Sequence, residues 1–245
     1  MSEITLNMIT GRFKEPFLKE AVNSVLPMID DIIFVDTEPG NNPNVEDMES
    51  FNCTIFQLPR KSDKEFSYAE ARNLALNNTK TEWCLKLDAD EALHEKYHNY
   101  LRDPLDTTNV NAIDIKFWHH MIHPDYYLDV GDDWRRILFK REHTVWIGDV
   151  HEGNHTKGPI LDWKHLVKQN HYGYCRDPNL ILQVWQLYDS KGGLGIDLTE
   201  RNSDNLLDDV IPHLQHYPET HPAAILPKLK EMFPDLGTYP LDKVT

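Results

Sequence analysis

Trp83-Cys84-Leu85-Lys86-Leu87-Asp88-Ala89-Asp90-Glu91 is a mostly apolar stretch of strand length that ends abruptly in two carboxylates with one residue between them. In an open α/β sheet, ligands sit beyond the carboxyl ends of the parallel strands. Two acids at such an end suit a hard divalent cation, and a cation there suits a phosphate ester. Asp-x-Asp by itself also reads as a solvated acidic turn. The functional reading therefore depends on what the rest of the chain brings to the same edge.

Working back from Trp83, strand and helix patterns alternate. Residues 4–9 read as a strand, and residues 15–26 carry Phe17, Leu18, Ala21, Val22 and Val25 at helical spacing. Pro16 fits the first turn of that helix and Pro27 marks its end. Ile32-Ile33-Phe34-Val35 has the unbroken apolar character of a strand buried on both faces. Residues 53–58 form another strand pattern. Residues 67–77 form a helix pattern opened by Ser67 with Glu70 three residues on, a capping box. This rhythm predicts a largely parallel sheet. Working forward, the pattern predicts a short helix over 92–101 and strands over 111–118 and 134–141. It then predicts helices over 179–190, 205–216 and 223–232. One catalytic domain over residues 1–178 with a helical C-terminal annex over 179–245, packed on the same body, is the expected organisation.

Size and charge narrow the function. With 245 residues and 40% hydrophobic content the chain can bury a real core. Its 40 acids against 25 bases give a net charge of -15, which argues against a nucleic-acid backbone or an anionic membrane as the main partner. No apolar run approaches the ~20 residues needed to span a bilayer. The chain opens directly into a strand pattern with no signal peptide, so a cytoplasmic location is expected. Cys53, Cys84 and Cys175 match neither a disulfide framework nor a zinc spacing and read as reduced thiols.

Three strand ends carry polar groups: Thr10-Gly11-Arg12, Asp36-Thr37 and Asp88-Ala89-Asp90. On a parallel sheet they share one edge. There Asp36 can accept from a nucleobase imide N–H, Asp88 can hold a ribose hydroxyl or support a metal, and Asp90 can bind a metal that bridges a diphosphate. Two later segments add chemistry. Asp149-Val150-His151-Glu152 lies between Gly148 and Gly153 and supplies a carboxylate able to act as general base. His171, in Asn170-His171-Tyr172-Gly173-Tyr174, supplies a neutral imidazole for the metal. The tract containing His119, His120 and His123 invites a zinc reading, but its spacing does not put all three on one strand face.

Taken in order, these segments resemble family 2 glycosyltransferases of the GT-A fold. The carrying motifs are Thr10-Gly11-Arg12, Val35-Asp36, Phe66-Ser67-Tyr68-Ala69-Glu70-Ala71-Arg72-Asn73 and Leu87-Asp88-Ala89-Asp90-Glu91. Arg136-Ile137-Leu138-Phe139-Lys140, Val150-His151-Glu152 and His171-Tyr172-Gly173-Tyr174 are similar in particular to the lipopolysaccharide-core branch. The resemblance covers residues 4–175. It implies a Rossmann-like α/β fold with a mixed, mostly parallel sheet, and inverting transfer of a sugar from a nucleoside-diphosphate sugar with Mn2+ or Mg2+ as cofactor. By position it implies Glu152 as base with Asp149 as rival, and Asp90, Asp88 and His171 at the metal. It also puts Thr10, Arg12, Asp36, Arg72 and Asp88 around the nucleotide-sugar. The chain departs from the family where Thr37-Glu38-Pro39-Gly40 replaces the usual Gly-Ser-x-Asp, and where Glu70 blurs the register around Arg72.

Two other readings share the same scaffold. A nucleotidyltransferase would carry a Gly-rich basic loop after its first strand, where this chain has only Gly11. A non-catalytic nucleotide-sugar-binding protein would have no need of the late carboxylate. The acceptor stays open among glycan, lipid-linked glycan, protein and modified base. Trp118, Tyr126, Tyr127, Trp134, Trp146 and Trp163 are the aromatic candidates for stacking on a sugar, each equally at home in a core.

Overall fold

The computed structural model describes residues 2–60, 66–129, 131, 133–148, 153–189 and 211–239. Its first half alternates as the sequence pattern predicts, except for a short helix α2 that the pattern did not show: β1 (Ile4–Thr10), α1 (Leu18–Val25), β2 (Asp31–Asp36), α2 (Val45–Glu49), β3 (Thr54–Gln57), α3 (Tyr68–Asn78) and β4 (Trp83–Lys86). β1 pairs in parallel with β2 and β4, and β2 with β3. The carboxyl ends of these strands therefore lie along one edge, with Thr10 level with Asp36.

The unbroken apolar run of β2 has a direct cause. Ile32 and Phe34 pack with α1 on one face of the sheet, while Ile33 and Val35 pack with Ala71 and Ala75 of α3 on the other. Each such side chain contributes about 1.5–3 kcal/mol on burial, so neither face tolerates a polar residue cheaply. Ser67 caps α3 as its sequence predicts, its hydroxyl accepting from the Glu70 N–H at 3.3 Å. α1 is shorter than its pattern: Glu15 and Pro16 precede it, and Leu26-Pro27-Met28 turns as a 3-10 helix.

Beyond Asp90 come β5 (Glu91–Leu93), α4 (His98–Thr107), β6 (Ala112–Met121), β7 (His123–Leu128), β8 (Trp134–Lys140), β9 (Thr144–Ile147), β10 (Gly153–Thr156), β11 (Ile160–Asp162), β12 (Lys168–Tyr174), α5 (Pro178–Asp189), β13 (Leu214–His216) and α6 (Leu226–Met232). The sheet runs β13-β7-β6-β8-β4-β1-β2-β3. β8 is antiparallel to both β4 and β6. β12 runs parallel to β6 and antiparallel to β5.

Two sequence expectations are corrected here. The helix expected over 92–101 is instead β5, a 3-10 turn at Glu95–Tyr97 and then α4. Residues 91–93 extend because β12 offers them a ladder, a long-range partner that no local pattern reveals. The helix expected over 205–216 does not form in its described part. Ile211–His213 is a 3-10 turn and Leu214–His216 is a strand at the edge of β7. Pro212 removes a helix donor there and disfavours helical geometry in Ile211. Residues 205–210 lie outside the described residues.

The C-terminal segment is thus not purely helical. α6 and the residue before it pack Ile225 and Leu229 against Phe17, Ala92, Tyr172 and Cys175. All three cysteines are free thiols, with Cys84 and Cys175 buried and Cys53 half-buried. Among the described residues no helix is long and apolar enough to cross a membrane.

Candidate active site

A cleft of ≈ 700 Å³ opens at the carboxyl edge of β1, β2 and β4. That volume lies within the range of about 300–1,000 Å³ common for small-molecule sites. Its lining includes Thr10, Arg12, Thr37, Arg60 and Tyr68, the charged and imidazole groups of Arg72, Asp88, Asp90, His171 and Arg176, and the rings of Trp134, Trp146, Tyr174 and Trp185. Among the described lining residues seven are Arg or Lys and four are Asp or Glu, in a chain of net charge -15. The cleft therefore concentrates cationic groups on an otherwise acidic molecule and suits an anionic ligand.

Asp88 is held by two cations, one on each oxygen. Arg72 Nη2 donates to Oδ1 at 2.5 Å and Lys86 Nζ to Oδ2 at 2.5 Å. α3 delivers Arg72 and the last residue of β4 delivers Lys86. Burial alone would raise the Asp88 carboxyl, but the two cations outweigh it and hold it far below the usual carboxylate range. Glu91 braces the same turn from below. It accepts from the Asp88 N–H at 2.7 Å, from Lys86 Nζ at 3.0 Å and from Gln169 Nε2 at 2.7 Å. Burial, reinforced by Asp88, raises the Glu91 carboxyl.

Asp90 faces His171. The β5–β12 ladder sets this up, because His171 pairs with Glu91 and the Tyr172 N–H donates to the Asp90 carbonyl at 2.8 Å. Asp90 Oδ2 lies 3.5 Å from His171 Nε2, and Arg176 Nη2 donates to that same oxygen at 2.8 Å. Burial raises the Asp90 carboxyl, yet His171 and Arg176 together bring it down to about 2. Burial lowers the His171 imidazole, while Asp90 and Glu91 more than reverse this and raise it. Arg176 also pairs with Glu15 through Nη1 at 3.1 Å, and burial pushes the Glu15 carboxyl up to about 7 against that pull.

Gly173 bears on whether a cation fits between Asp90 and His171. A Cβ at residue 173 would stand 2.5 Å from His171 Nε2 and 2.6 Å from Asp90 Oδ2. The space between the two donor atoms is open because that residue has no side chain. Nitrogen and oxygen ligands about 2.1 Å from one ion lie about 3.0–3.5 Å apart, which matches the observed separation. Among the described residues no group of three or more His, Cys, Asp or Glu is spaced to hold an ion. Mg2+ and similar ions typically use one or two carboxylates together with substrate phosphates and water. Two protein donors beside a cationic cleft fit that pattern.

The other expected residues are placed as follows. Thr10 and Arg12 line the cleft. Asp36 is 3% exposed beside Thr37, and its Oδ1 accepts from the Glu38 N–H and Asn42 Nδ2, both at 2.9 Å. Asp36 is not among the residues lining the cleft, although its neighbours Thr10 and Thr37 are. Asp149 and Glu152 lie outside the described residues. The residues flanking them, Trp146 and Gly153, line the cleft. The tract around His119 splits. His119 reaches the site, His120 is fully buried against Tyr172, and His123 stacks on Tyr239. Of the aromatic candidates, Trp134 and Trp146 line the cleft, whereas Trp118 packs between Tyr127 and Tyr217. Sequence reading gave Lys86, Glu91, Asp133 and Arg176 no role, and raised His119 only within the zinc reading it set aside. The only available signal for the first two was their position beside Asp-x-Asp.

The parallel strands β1 to β4, the antiparallel β8 beside β4 and the cationic cleft at the carboxyl edge match the GT-A fold. The chain belongs to glycosyl transferase family 2, whose profile matches residues 8–157. The solved structures similar to it include Staphylococcus aureus TarS. That structure has a TM-score of 0.52 at 13% identity, over 86% of this chain and 43% of that one. They also include glucosyl-3-phosphoglycerate synthase from Mycobacterium tuberculosis with Mn2+, uridine diphosphate and glucosyl-3-phosphoglycerate. The values there are 0.37 and 16%, over 48% of this chain and 44% of that one. This chain spans less than half the length of either. No curated protein matches it in sequence.

Proposed function

We propose that this chain transfers a sugar from a nucleoside-diphosphate sugar to an acceptor hydroxyl with inversion, assisted by Mn2+ or Mg2+. The observation carrying this reading is the Asp90–His171 pair, 3.5 Å apart across the gap left by Gly173, at the carboxyl edge of the parallel strands. Asp90 and His171 would hold the cation, which when bound supplies positive charge to the departing diphosphate.

This chain's own residues perform the remaining tasks. Arg176, already on Asp90, can turn its guanidinium to phosphate oxygens once the carboxylate has another partner. Asp88, fixed by Arg72 and Lys86 but about a third exposed, presents a rigid acceptor to a ribose hydroxyl. Thr10 and Arg12 line the cleft beside Asp36, whose second oxygen is the acceptor assigned to a nucleobase imide. Glu152 is the base assigned to the acceptor hydroxyl, with Asp149 as its rival. Placement in the lipopolysaccharide-core branch belongs to the same proposal and rests on the sequence motifs alone.

The test is product release from a panel of nucleotide-sugars with Mn2+. The expected product is nucleoside diphosphate, dependent on acceptor. Release of pyrophosphate would indicate a nucleotidyltransferase, and no release with intact binding a non-catalytic protein. Asp90→Asn is expected to abolish release. Glu152→Gln is expected to cut turnover about 10²–10⁴-fold while sparing nucleotide binding. If Asp149→Asn behaves that way instead, the base is Asp149.

A further inference from the structure

We infer that His119 and Asp133 form an outer support that fixes the proton on His171 and turns its Nε2 lone pair toward the cation. This rests on the cation-assisted reading above. Strand register brings the groups together, since β6 and β12 run parallel with His119 directly opposite His171. The two rings meet edge to face, 4.9 Å between centroids at 82°, with their Nδ1 atoms 2.9 Å apart. On the far side of His119, Nε2 lies 2.5 Å from Asp133 Oδ2.

The proton positions follow from donor and acceptor chemistry. A carboxylate oxygen only accepts, so His119 carries its N–H on Nε2. A neutral imidazole has one N–H, which leaves His119 Nδ1 bare and able only to accept. The atom it faces is His171 Nδ1, which must then be the protonated nitrogen of that ring. Neutral His171 is left with a lone pair on Nε2, and that lone pair faces Asp90 Oδ2 at 3.5 Å. Two electron-rich atoms so placed repel unless a cation or a proton stands between them. The chain Asp133–His119–His171 therefore presents His171 as a ligand.

Ligating histidines generally give their second N–H to a carboxylate, a carbonyl or water, which fixes the ring and raises its basicity. Here the acceptor is a second imidazole, itself backed by a carboxylate that also pairs with Arg135. His119 and Asp133 are positioning residues, acting on the site through His171.

The test measures Mn2+ binding to the full chain in the presence of uridine diphosphate, counting free ion by electron paramagnetic resonance. His119→Phe keeps a ring and removes the acceptor, and is expected to weaken Mn2+ by about 10–100-fold. His119→Gln, whose amide can accept from His171 and donate to Asp133, is expected to recover most of that loss. Equal Mn2+ affinity in His119→Phe and the unsubstituted chain overturns the proposal. If the unsubstituted chain itself binds no Mn2+, the cation reading fails and takes this proposal with it, so the two failures are distinct. A second measurement needs no variant. In the 15N-histidine-labelled chain with Mg2+ and uridine diphosphate, long-range 1H–15N spectra are expected to show Nδ1–H on His171 and Nε2–H on His119. The opposite tautomer on His171 overturns the proposal whatever the variants do.

Discussion

At the scale of single residues, the site is a set of carboxylates whose partners decide their roles. Asp88 and Asp90 are one residue apart, yet the first is clamped by Arg72 and Lys86 while the second faces a histidine across an open gap. Gly173 decides whether that gap exists. Its φ lies outside the left-handed region, so alanine suits the backbone and only the methyl group intrudes. Gly173→Ala is expected to weaken Mn2+ on the order of 100-fold, as calorimetry would show, with little change in melting temperature. Unaltered Mn2+ binding in that variant would remove the assignment of the gap to a cation. Lys86 tests the clamp. It is 8% exposed and neutralises both Asp88 and the 3%-exposed Glu91. Lys86→Met leaves two carboxylates short of a partner and is expected to cost about 3–5 kcal/mol in urea unfolding. A loss below ~1 kcal/mol would mean that Arg72 and Gln169 suffice.

At the scale of elements, what could be read in advance was whatever is encoded locally. The capping box of α3, the two-face burial of β2 and the acids after β4 all have local signatures, and all appear in the structure. The convergence of β1, β2 and β4 follows from parallel pairing, which the alternating pattern implies. β5 was illegible because Glu91-Ala92-Leu93 has no strand signature of its own and extends only against β12. His119 was illegible as a site residue for a related reason. Its neighbour across the sheet lies 52 positions away, and only the β6–β12 register joins them. Asp36 shows the reverse limit: its strand end was legible, but its burial and its bonds from the Glu38 N–H and Asn42 involve a loop that no local pattern specifies. The cap of α3 gives a prediction at this scale. Ser67 secures the first turn, and Arg72 rides one turn further on. Ser67→Ala is expected to cost ~1 kcal/mol in denaturant unfolding. It is also expected to raise the KM for the nucleotide-sugar more than it lowers kcat, because it loosens the Arg72–Asp88 clamp. A changed kcat at constant KM would argue that α3 does not act through that clamp.

At the scale of the whole molecule, acid should unfold this protein from a particular place. His120 is fully buried, stacked on Tyr172 at 4.5 Å, and hydrogen-bonded to the Pro124 carbonyl at 2.7 Å. Tyr172 in turn holds His221 through its hydroxyl at 2.9 Å, and His221 stacks on Tyr217. This stack joins β6 and β12 to the C-terminal segment, so its protonation bears on how that segment is held. Burial lowers the His120 imidazole to about 4 and the His221 imidazole to about 2, against 6.5 for an ordinary histidine. Above pH 6.5 neither the folded nor the unfolded chain binds a proton at these sites, and their contribution to stability is full. Between pH 6.5 and about 4 the unfolded chain takes up protons that the folded chain refuses, so stability falls as pH falls. His171, raised above 6.5, works in the opposite sense, but its contribution is complete by pH 6.5 and stays constant below it. In the window from pH 6.5 to 4 His120 contributes a loss on the order of 3 kcal/mol and His221 adds to it, while the raised carboxyls of Glu15 and Glu91 work in the opposite sense. Urea midpoints measured at intervals from pH 7.5 to 4.5 on the unsubstituted chain and on His120→Phe would isolate the His120 contribution by difference. His120→Phe, whatever its stability at pH 7.5, should lose less stability than the unsubstituted chain between pH 6.5 and 4.5. An identical slope in that variant would mean that the acid sensitivity arises elsewhere, and that the stack is not what ties the C-terminal segment to the sheet.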